Sequence, residues 1–429
     1  MNLGSRIRVL LIIEQCNPDW PSVPLVGYKF YLHLKKYTDV TLVTHERNEQ
    51  AIKRRHPNDK IIIIRQSRLA SVWHRIATRI STFRQRTVWS MYHTLTYPIY
   101  AEFDRRVLRR LGPCVVAKDY DVVHVITPML PRYPYGIHRS CGSTPFVIGP
   151  VNGGVPYPKG FESVARSEYA FLNNLRRVGR WAIPEYRKTY ENADQVFCGS
   201  IYTKNLITNL FRLKRPVLVM AENGLEVDEI QSFERPIRQS EENKLRVLFV
   251  GRLVPYKGAD LVISAVALLP DAVKKNVSLT IVGDGSEKFS LGCMVEKYKL
   301  DGCVRFAGWV EQSETQKYYR MSDVFCFPSV REFGGAVVLE AMANNLPCIV
   351  VDNGGIAEYV TENVGFKIEP RSREYVVSEL AALLCKLAEQ PKLRREMAQE
   401  AGRRALDYTW KIKAQKIVAI YKTLMTERE

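Results

Sequence analysis

Short apolar segments alternate with helix-like segments along almost the whole chain, and this alternation limits the possible folds more than any other feature. Most of the apolar runs are continuous rather than alternating, which is typical of strands covered on both faces. The sequence therefore predicts an α/β chain with parallel sheets and helices on either side. The predicted strands are Val9–Ile13, Val40–Thr44, Ile61–Ile64, Val122–Ile126, Pro145–Gly149, Gln195–Gly199, Val217–Met220, Arg246–Val250, Leu279–Val282, Val304–Phe306, Val324–Phe327, Cys348–Val351 and Gly365–Ile368.

The strands fall into two blocks in series, which predicts two doubly wound, Rossmann-like domains. Between the blocks, Ile230–Lys244 is polar, holds one proline and shows no strand pattern, so we interpret it as a linker. The predicted organisation is an N-terminal domain over residues 1–228, a linker over 229–244, a C-terminal domain over 245–408 and a final helix over 409–429, which could pack back across the domains.

The net charge of +18 is concentrated in the first half of the chain. Residues 1–200 hold 30 Lys and Arg against 15 Asp and Glu, whereas residues 201–429 hold 33 against 30. An anionic surface or acceptor is therefore expected to meet the N-terminal half.

A basic segment over residues 65–110 interrupts the strand pattern, with ten Lys and Arg and two acidic residues. Its apolar and basic residues recur at helical spacing, which predicts a basic amphipathic helix inserted between strands. Two explanations stay open: a helix packed on the domain with a solvated basic face, or contact with anionic lipid or an anionic acceptor. The residues concerned are Trp73, Ile76, Ile80 and Phe83, beside Arg68, Arg75, Arg79 and Arg84.

The nine cysteines favour buried free thiols in a reducing compartment over disulfides or zinc ligands, because no two have CxxC spacing and several lie in apolar runs. The apolar run Arg6–Ile13 suits a first strand better than a signal peptide. No apolar stretch reaches the roughly 18–20 residues of a membrane span. We expect a cytoplasmic protein, with possible peripheral binding to the inner face of the cytoplasmic membrane.

Candidate ligand-binding residues follow predicted strands of the second block. Arg252 and Lys257 lie in a turn that leads to a helix start at Gly258. Ligands of open parallel sheets bind at the carboxyl ends of strands, and two cations beside a helix N-terminus suit a diphosphate. Further glycine-rich turns follow strands at residues 281–285 and 352–358, and the second is expected to lie beside the turn that contains Gly334.

Two carboxylates flank another helix start. Gly334 and Gly335 open that helix, Glu332 precedes it and Glu340 lies two turns inside, about 12 Å along the axis. The two carboxylates are therefore expected to do different work, one near a sugar and phosphates and the other near a ribose. For Glu340 the alternative is a surface helix with an outward carboxylate.

The order of these motifs is distinctive: Gly-Arg-Leu-x-x-x-Lys-Gly, Val-Gly-Asp-Gly, Phe-x-Gly-Trp-Val, and Pro-Ser-x-x-Glu-x-Phe-Gly with a second Glu further on. It resembles family 4 of the glycosyltransferases, the group-1 retaining enzymes, densely over residues 245–370 and more weakly in the N-terminal half. The resemblance implies a GT-B fold, in which two Rossmann-like domains face each other across a cleft that holds the active site. It also implies a retaining transfer without a metal.

The resemblance also implies roles for individual residues. The donor would be a nucleotide sugar, a UDP- or GDP-sugar, used as a co-substrate with no cofactor. Arg252 and Lys257 would bind its diphosphate, and Glu332 would contact its sugar. Backbone N–H groups of Gly334 and Gly335 would bind the phosphates. Glu340 would bind the ribose, and the backbone near Trp309 and Val310 would contact the base.

On the acceptor side, Gly27 follows the first strand, and Asn152 and Gly153 follow the fifth; both segments are expected to be strand-end loops at the cleft. The family commonly has a Gly-Gly pair at the first place and a His at the second. Asn152 could hydrogen-bond a sugar hydroxyl but cannot act as a base. His124 lies inside a strand, where a core histidine is favoured over a site residue.

The sequence thus predicts a retaining, metal-independent hexosyltransferase that moves a sugar to a glycan or lipid-linked glycan, in cell-surface or exopolysaccharide biosynthesis. Arg252 and Lys257 would stabilise the leaving diphosphate while Glu332 orients the sugar for front-face attack. Two alternatives remain, a nucleotide-sugar epimerase on the same architecture and a basic nucleic-acid-binding protein suggested by a pI of 9.4. Against the second, no RNP, zinc-finger or helix-turn-helix signature is present, so no nucleic-acid partner is expected.

Overall fold

A computed structural model describes residues 6–83, 86–87, 89–130, 133–168, 183–230 and 244–428. Most of the predicted linker, and Arg84 of the basic segment, lie outside these residues. The chain forms two compact units. The first comprises Met1–Gly154, Glu168–Glu222 and Trp410–Glu429, and the second comprises Val155–Ser167 and Asn223–Thr409.

The unit boundaries differ from a linear division at two places. The segment Val155–Ser167 belongs to the second unit because Arg331 donates a hydrogen bond to the Val155 carbonyl at 2.9 Å and its guanidinium stacks on the Tyr157 ring. The C-terminal helix belongs to the first unit because its apolar residues, such as Ile417, join that unit's core.

The first unit contains a seven-stranded parallel sheet in the order β3-β2-β1-β6-β7-β8-β9. Strands β4 and β5 pair separately as an antiparallel hairpin. The strands are β1 Arg8–Ile13, β2 Asp39–His45, β3 Ile61–Ile64, β4 Thr82–Phe83, β5 Arg86–Thr87, β6 Val122–Thr127, β7 Phe146–Val151, β8 Gln195–Cys198 and β9 Leu218–Val219.

Both faces of this sheet are covered, as the continuous apolar runs predict. Successive residues of β1 point to opposite faces, so Leu10 and Ile12 join one core cluster while Val9, Leu11 and Ile13 join the other.

The second unit contains a six-stranded parallel sheet in the order β12-β11-β10-β13-β14-β15. Both sheets therefore place their first strand beside their fourth sheet strand, which is the Rossmann order, and the predicted α/β fold class is confirmed. The strands are β10 Leu245–Val250, β11 Val277–Val282, β12 Val304–Gly308, β13 Val324–Phe327, β14 Cys348–Val351 and β15 Gly365–Ile368.

Helices connect the strands in both units. We call Arg68–Ser81 the basic helix and Tyr97–Val116 the arginine helix; both lie between β3 and β6, where the sequence predicts a helical insertion. No helix among the described residues combines the length and hydropathy needed to cross a bilayer. The other α-helices are Val23–Leu34, Glu49–Arg55, Trp89–Leu95, Tyr186–Asn192, Ile201–Leu210 and Trp410–Thr426 in the first unit, and Glu162–Ser167, Ala259–Leu268, Asp271–Lys274, Lys288–Lys297, Gln312–Met321, Ala336–Ala343, Ile356–Tyr359, Arg373–Glu389 and Pro391–Ala405 in the second.

Candidate active site

The loops that follow β10, β11, β12, β13 and β14 lie at one edge of the second sheet, because the carboxyl ends of parallel strands share an edge. After β10, the chain forms a short 3₁₀ turn, Pro255–Lys257, before the helix that begins at Ala259. In this loop Arg252 is exposed and donates a hydrogen bond to the Tyr256 hydroxyl at 2.7 Å. One cation of the predicted pair is therefore already oriented by the loop itself.

Lys257, the other cation, forms an ion pair with Glu332 from the loop after β13. Both side chains are largely buried, with 13% and 12% of their surfaces exposed. The Ser329 hydroxyl lies 3.4 Å from the same carboxylate oxygen and donates to the Tyr256 carbonyl at 3.1 Å. The Lys257 ammonium also lies 5.1 Å from the centre of the Phe327 ring. The structure thus joins two residues that the sequence assigns to the same donor.

A helix N-terminus lies next to this pair. The helix Ala336–Ala343 begins after Gly335, whose φ of 44° is in the left-handed region. A Cβ atom at Gly335 would lie 2.2 Å from Ile356, so a larger residue would displace the neighbouring turn. Tyr359 donates a hydrogen bond to the Gly334 carbonyl at 2.8 Å. Bare backbone N–H groups at such a terminus are suited to bind an anion.

The glycine-rich turn after β14 lies directly against the loop that contains Glu332, as predicted. Glu332 and Gly354 form an isolated parallel bridge, and the Gly355 N–H donates to the Glu332 carbonyl at 3.2 Å. Asn353 also donates to the Val330 carbonyl, at 2.6 Å. The backbone of Glu332 is therefore fixed from the side of β14.

Glu340 is partly buried and does not point freely outward, so the outward alternative is wrong. Tyr319 donates a hydrogen bond to its carboxylate at 2.9 Å. Burial raises the pKa of Glu340, against the hydrogen bonds from Tyr319 and Gln312, which lower it. The proposed contact with a ribose stays a prediction.

Trp309 follows β12 and is 71% exposed, while Val310 beside it is half-buried. The preceding Gly308 has a φ of 75°, which turns the chain at the end of the strand. These two residues are at the same sheet edge as the Lys257–Glu332 pair, which is the position that their predicted contact with the base requires.

In the first unit, the expectation that Gly27 lies in a strand-end loop is wrong. The helix Val23–Leu34 starts earlier, with Pro24 in its first turn, and Gly27 is buried inside it. A Cβ atom at Gly27 would lie 2.4 Å from the Gln15 carbonyl and 2.7 Å from Ile13. The glycine is required for close packing of this helix against the end of β1.

Asn152 and Gly153 directly follow β7, as expected. The buried Asn152 side chain accepts hydrogen bonds through Oδ1 from the Gly153 N–H at 3.0 Å, Thr203 Oγ1 at 3.1 Å and Ser200 Oγ at 3.3 Å. Its Nδ2 is buried and has no partner among the described residues. Asn152 therefore offers a donor group that the surrounding protein leaves unsatisfied.

His124 is a satisfied core histidine, as the sequence favours. It is fully buried; its Nε2 donates to the Gly149 carbonyl at 2.7 Å and its Nδ1 accepts from the Tyr421 hydroxyl of the C-terminal helix. Burial lowers the pKa of His124 to about 4. The imidazole is therefore neutral and structural.

Sequence reasoning missed a buried polar cluster at the carboxyl ends of β1 and β2. Glu14 forms an ion pair with Arg47, and its carbonyl accepts from Asn48 Nδ2 at 2.8 Å. Arg47 Nε and Asn48 Oδ1 are buried without partners among the described residues. The available signal was a charged residue, Glu14, immediately after the apolar run Val9–Ile13.

The basic helix is amphipathic, as predicted, but its apolar stripe faces outward. The helix packs inward through small residues, Ala70, Ala77 and Ser81. Leu69 is 82% exposed and Ile80 54% exposed. The large exposed residues of the stripe are Leu69, Val72, Trp73, Ile76 and Ile80, and the exposed cations beside them are Arg68, Arg75 and Arg79.

Comparison with known proteins finds similarity to glycosyltransferases. Residues 230–404 match the family model of the group 1 glycosyl transferases. The chain is 28% identical over 359 residues to an uncharacterized glycosyltransferase of Methanocaldococcus jannaschii, covering 81% of this chain and 85% of that protein. It is 28% identical over 245 residues to the D-inositol 3-phosphate glycosyltransferase of Kribbella flavida, covering 54% and 57% of the two chains.

Among solved structures, Anabaena HepE in complex with UDP matches with a TM-score of 0.61 and 16% identity, covering 97% of this chain and 100% of that one. At this level of identity the match concerns the fold. The chain therefore has the GT-B fold, and its residues 230–404 resemble the group 1 glycosyl transferases.

Proposed function

We propose that the chain is a retaining, metal-independent hexosyltransferase. It would transfer a sugar from a UDP- or GDP-sugar to a glycan or lipid-linked glycan acceptor, in cell-surface or exopolysaccharide biosynthesis. The observation that carries the proposal is the Lys257–Glu332 ion pair beside the helix N-terminus at Gly335.

The pair explains how the donor would be bound and activated. The exposed Arg252 and the Lys257 ammonium would bind the diphosphate, and the N–H groups after Gly335 would add donors to the same phosphates. Negative charge grows on the diphosphate as the glycosidic bond breaks, so cations fixed in advance stabilise the transition state more than the ground state.

Glu332 would accept hydrogen bonds from the donor sugar while it remains paired with Lys257. The acceptor hydroxyl would then attack from the face that the diphosphate leaves and would give its proton to the departing diphosphate oxygen. Attack on this face gives retention of configuration. Since Arg252 and Lys257 supply the positive charge, the proposal assigns no step to a metal.

The first unit would bind the acceptor and would contact a membrane surface. The basic helix exposes an apolar stripe between arginines, a pattern typical of helices that lie in the plane of a lipid interface. We propose that the protein is cytoplasmic and binds peripherally to anionic lipid through this helix.

A donor screen tests the central proposal. Thermal shift across UDP-, GDP- and ADP-sugars should identify one nucleotide that raises the melting temperature, and Glu332→Gln should weaken the effect of the full donor more than that of the free nucleoside diphosphate. Proton NMR should be recorded on the product sugar, either transferred to an acceptor or released by slow hydrolysis. Its anomeric carbon should have the same configuration as in the donor. Stabilisation by none of these donors, or an inverted product, would contradict the proposal.

A further inference from the structure

The basic segment of the first unit forms two separate surfaces. One is the basic helix described above. The other is a groove of about 690 Å³ between the end of β3 and the arginine helix, lined by Ile63, Ile64, Glu102 and five arginines: Arg65, Arg105, Arg106, Arg109 and Arg110. We call this the arginine groove.

The groove lies at the free edge of the first sheet, because β3 is its edge strand. Arg110 donates a hydrogen bond to the Ile63 carbonyl at 3.2 Å, near the carboxyl end of that strand. One end of the groove is therefore near the carboxyl end of β3.

Its positive charge is poorly compensated. Glu102, the one carboxylate that lines the groove, pairs with Arg106 at 2.6 Å and accepts from the Ser67 N–H and hydroxyl at 2.8 and 2.9 Å. Within the described part of the chain, no carboxylate forms an ion pair with Arg65, Arg105, Arg109 or Arg110. Glu49 interacts electrostatically with Arg65, and Asp104 with Arg105, at longer range. The groove therefore presents more cations than the protein itself neutralises.

The spacing on the arginine helix makes this arrangement costly. Arg105 and Arg109 are four residues apart, as are Arg106 and Arg110, so two like-charged rows run side by side along one face. Like charges at this spacing destabilise an isolated helix. An anion that bridges the rows would remove the repulsion, and guanidinium groups are suited to bidentate contact with phosphate oxygens.

Resting on the proposed function, we infer that the arginine groove binds a phosphate or diphosphate group carried by the acceptor. The acceptor class is then a phosphorylated one, such as a lipid-linked diphosphate. The exposed apolar stripe starts at Leu69, just beyond the Ser67 that contacts Glu102 of the groove. A lipid portion and its phosphate would thus meet neighbouring surfaces of the same unit.

Calorimetry on the whole chain tests the inference. The probes are farnesyl diphosphate, inorganic diphosphate and inorganic phosphate. The nucleoside diphosphate selected by the donor screen is present in excess to occupy the donor site. We expect farnesyl diphosphate and inorganic diphosphate to bind one per chain, and Arg105→Gln with Arg109→Gln to weaken both at least tenfold. The control, Lys53→Gln with Arg54→Gln, removes the same charge from exposed positions of another helix in the first unit and should change either affinity less than twofold.

Phosphatidylglycerol vesicles distinguish the source of the phosphate. If the groove variant lost only vesicle binding and kept its affinity for farnesyl diphosphate, the acceptor assignment would be overturned. Wild-type affinity of the groove variant for every probe would show that these arginines only shield the edge strand. Unchanged nucleotide binding by the groove variant would show that the variant is folded. A failure of the donor screen would count against the proposed function and not against the groove.

Discussion

Lys257 and Glu332, 75 positions apart in the sequence, form an ion pair at the carboxyl edge of the second sheet. The pair exists because β10 and β13 are hydrogen-bonded neighbours, which places the loops that follow them side by side. A cation held by a carboxylate in this way is fixed in position before a donor arrives, which reduces the reorganisation needed during the reaction.

Removal of either donor cation should abolish most of the activity. We expect Lys257→Ala or Arg252→Ala to lower kcat/KM at least a hundredfold, about 3 kcal/mol of transition-state stabilisation, because each removes a charge from the leaving diphosphate. Steady-state kinetics measure the effect, and circular dichroism checks folding. The control Lys317→Ala removes an exposed lysine that pairs with Glu314 and should leave the rate unchanged. Wild-type rates in both donor variants would refute the assignment.

Activity should not depend on a divalent metal. The two cations and the helix N-terminus are expected to neutralise the diphosphate, so transfer should continue in EDTA at its original rate. Assays before and after chelation, followed by addition of Mg²⁺ or Mn²⁺, measure this. Loss of activity with EDTA and its recovery with either metal would show that the charge comes from elsewhere.

The basic helix should bind anionic membranes. We expect the protein to co-sediment with phosphatidylglycerol vesicles at low salt and to be released at high salt, since each Lys or Arg near such a surface contributes about 1 kcal/mol. Membrane binding should weaken when Arg68, Arg75 and Arg79 are all changed to Gln. It should also weaken in Ile80→Ser, which removes part of the exposed stripe.

The matched control for this experiment changes three exposed cations of another helix, Lys53, Arg54 and Arg55, to Gln. It removes the same charge without altering the stripe, so it should reduce binding less than the basic-helix variant. A protein that stays in the supernatant with vesicles at low salt would contradict the membrane proposal, and the glycosyltransferase assignment would be unaffected.

The first unit should lose stability in mild acid because of His124. Its pKa in the folded chain is about 4, below the ordinary 6.5, so between these values the unfolded chain binds a proton that the folded chain does not. Above about pH 6.5, the low pKa of His124 contributes about 3 kcal/mol to the free energy of unfolding. This contribution is lost as the pH falls towards 4. Chemical unfolding at pH 7.5 and 5 should show a smaller loss for His124→Gln than for the wild type. An equal loss in both proteins would mean that other groups dominate.

Much of the architecture could be predicted from the sequence because the strands are continuous apolar runs. Every predicted sheet strand is present, and four of them, Ile61–Ile64, Val324–Phe327, Cys348–Val351 and Gly365–Ile368, have the predicted bounds. The start of the helix Val23–Leu34 is not predicted, because a Pro-Leu-Val-Gly run after a strand is typical of a loop. Proline is tolerated in a first helical turn, and the glycine is needed for packing.

The candidate donor residues were predicted because each directly follows a strand or opens a helix, and the structure shows that parallel strands bring these positions to one edge. The amino-acid sequence by itself thus determined the fold class and predicted which loops of the second sheet would hold a donor. The tertiary structure alone decided which side chains meet: that Lys257 pairs with Glu332, that Tyr319 covers Glu340, and that Asn152 Nδ2 has no partner among the described residues. It also decided that the apolar stripe of the basic helix faces outward, because periodicity shows that a helix has two faces and only packing determines which one is buried.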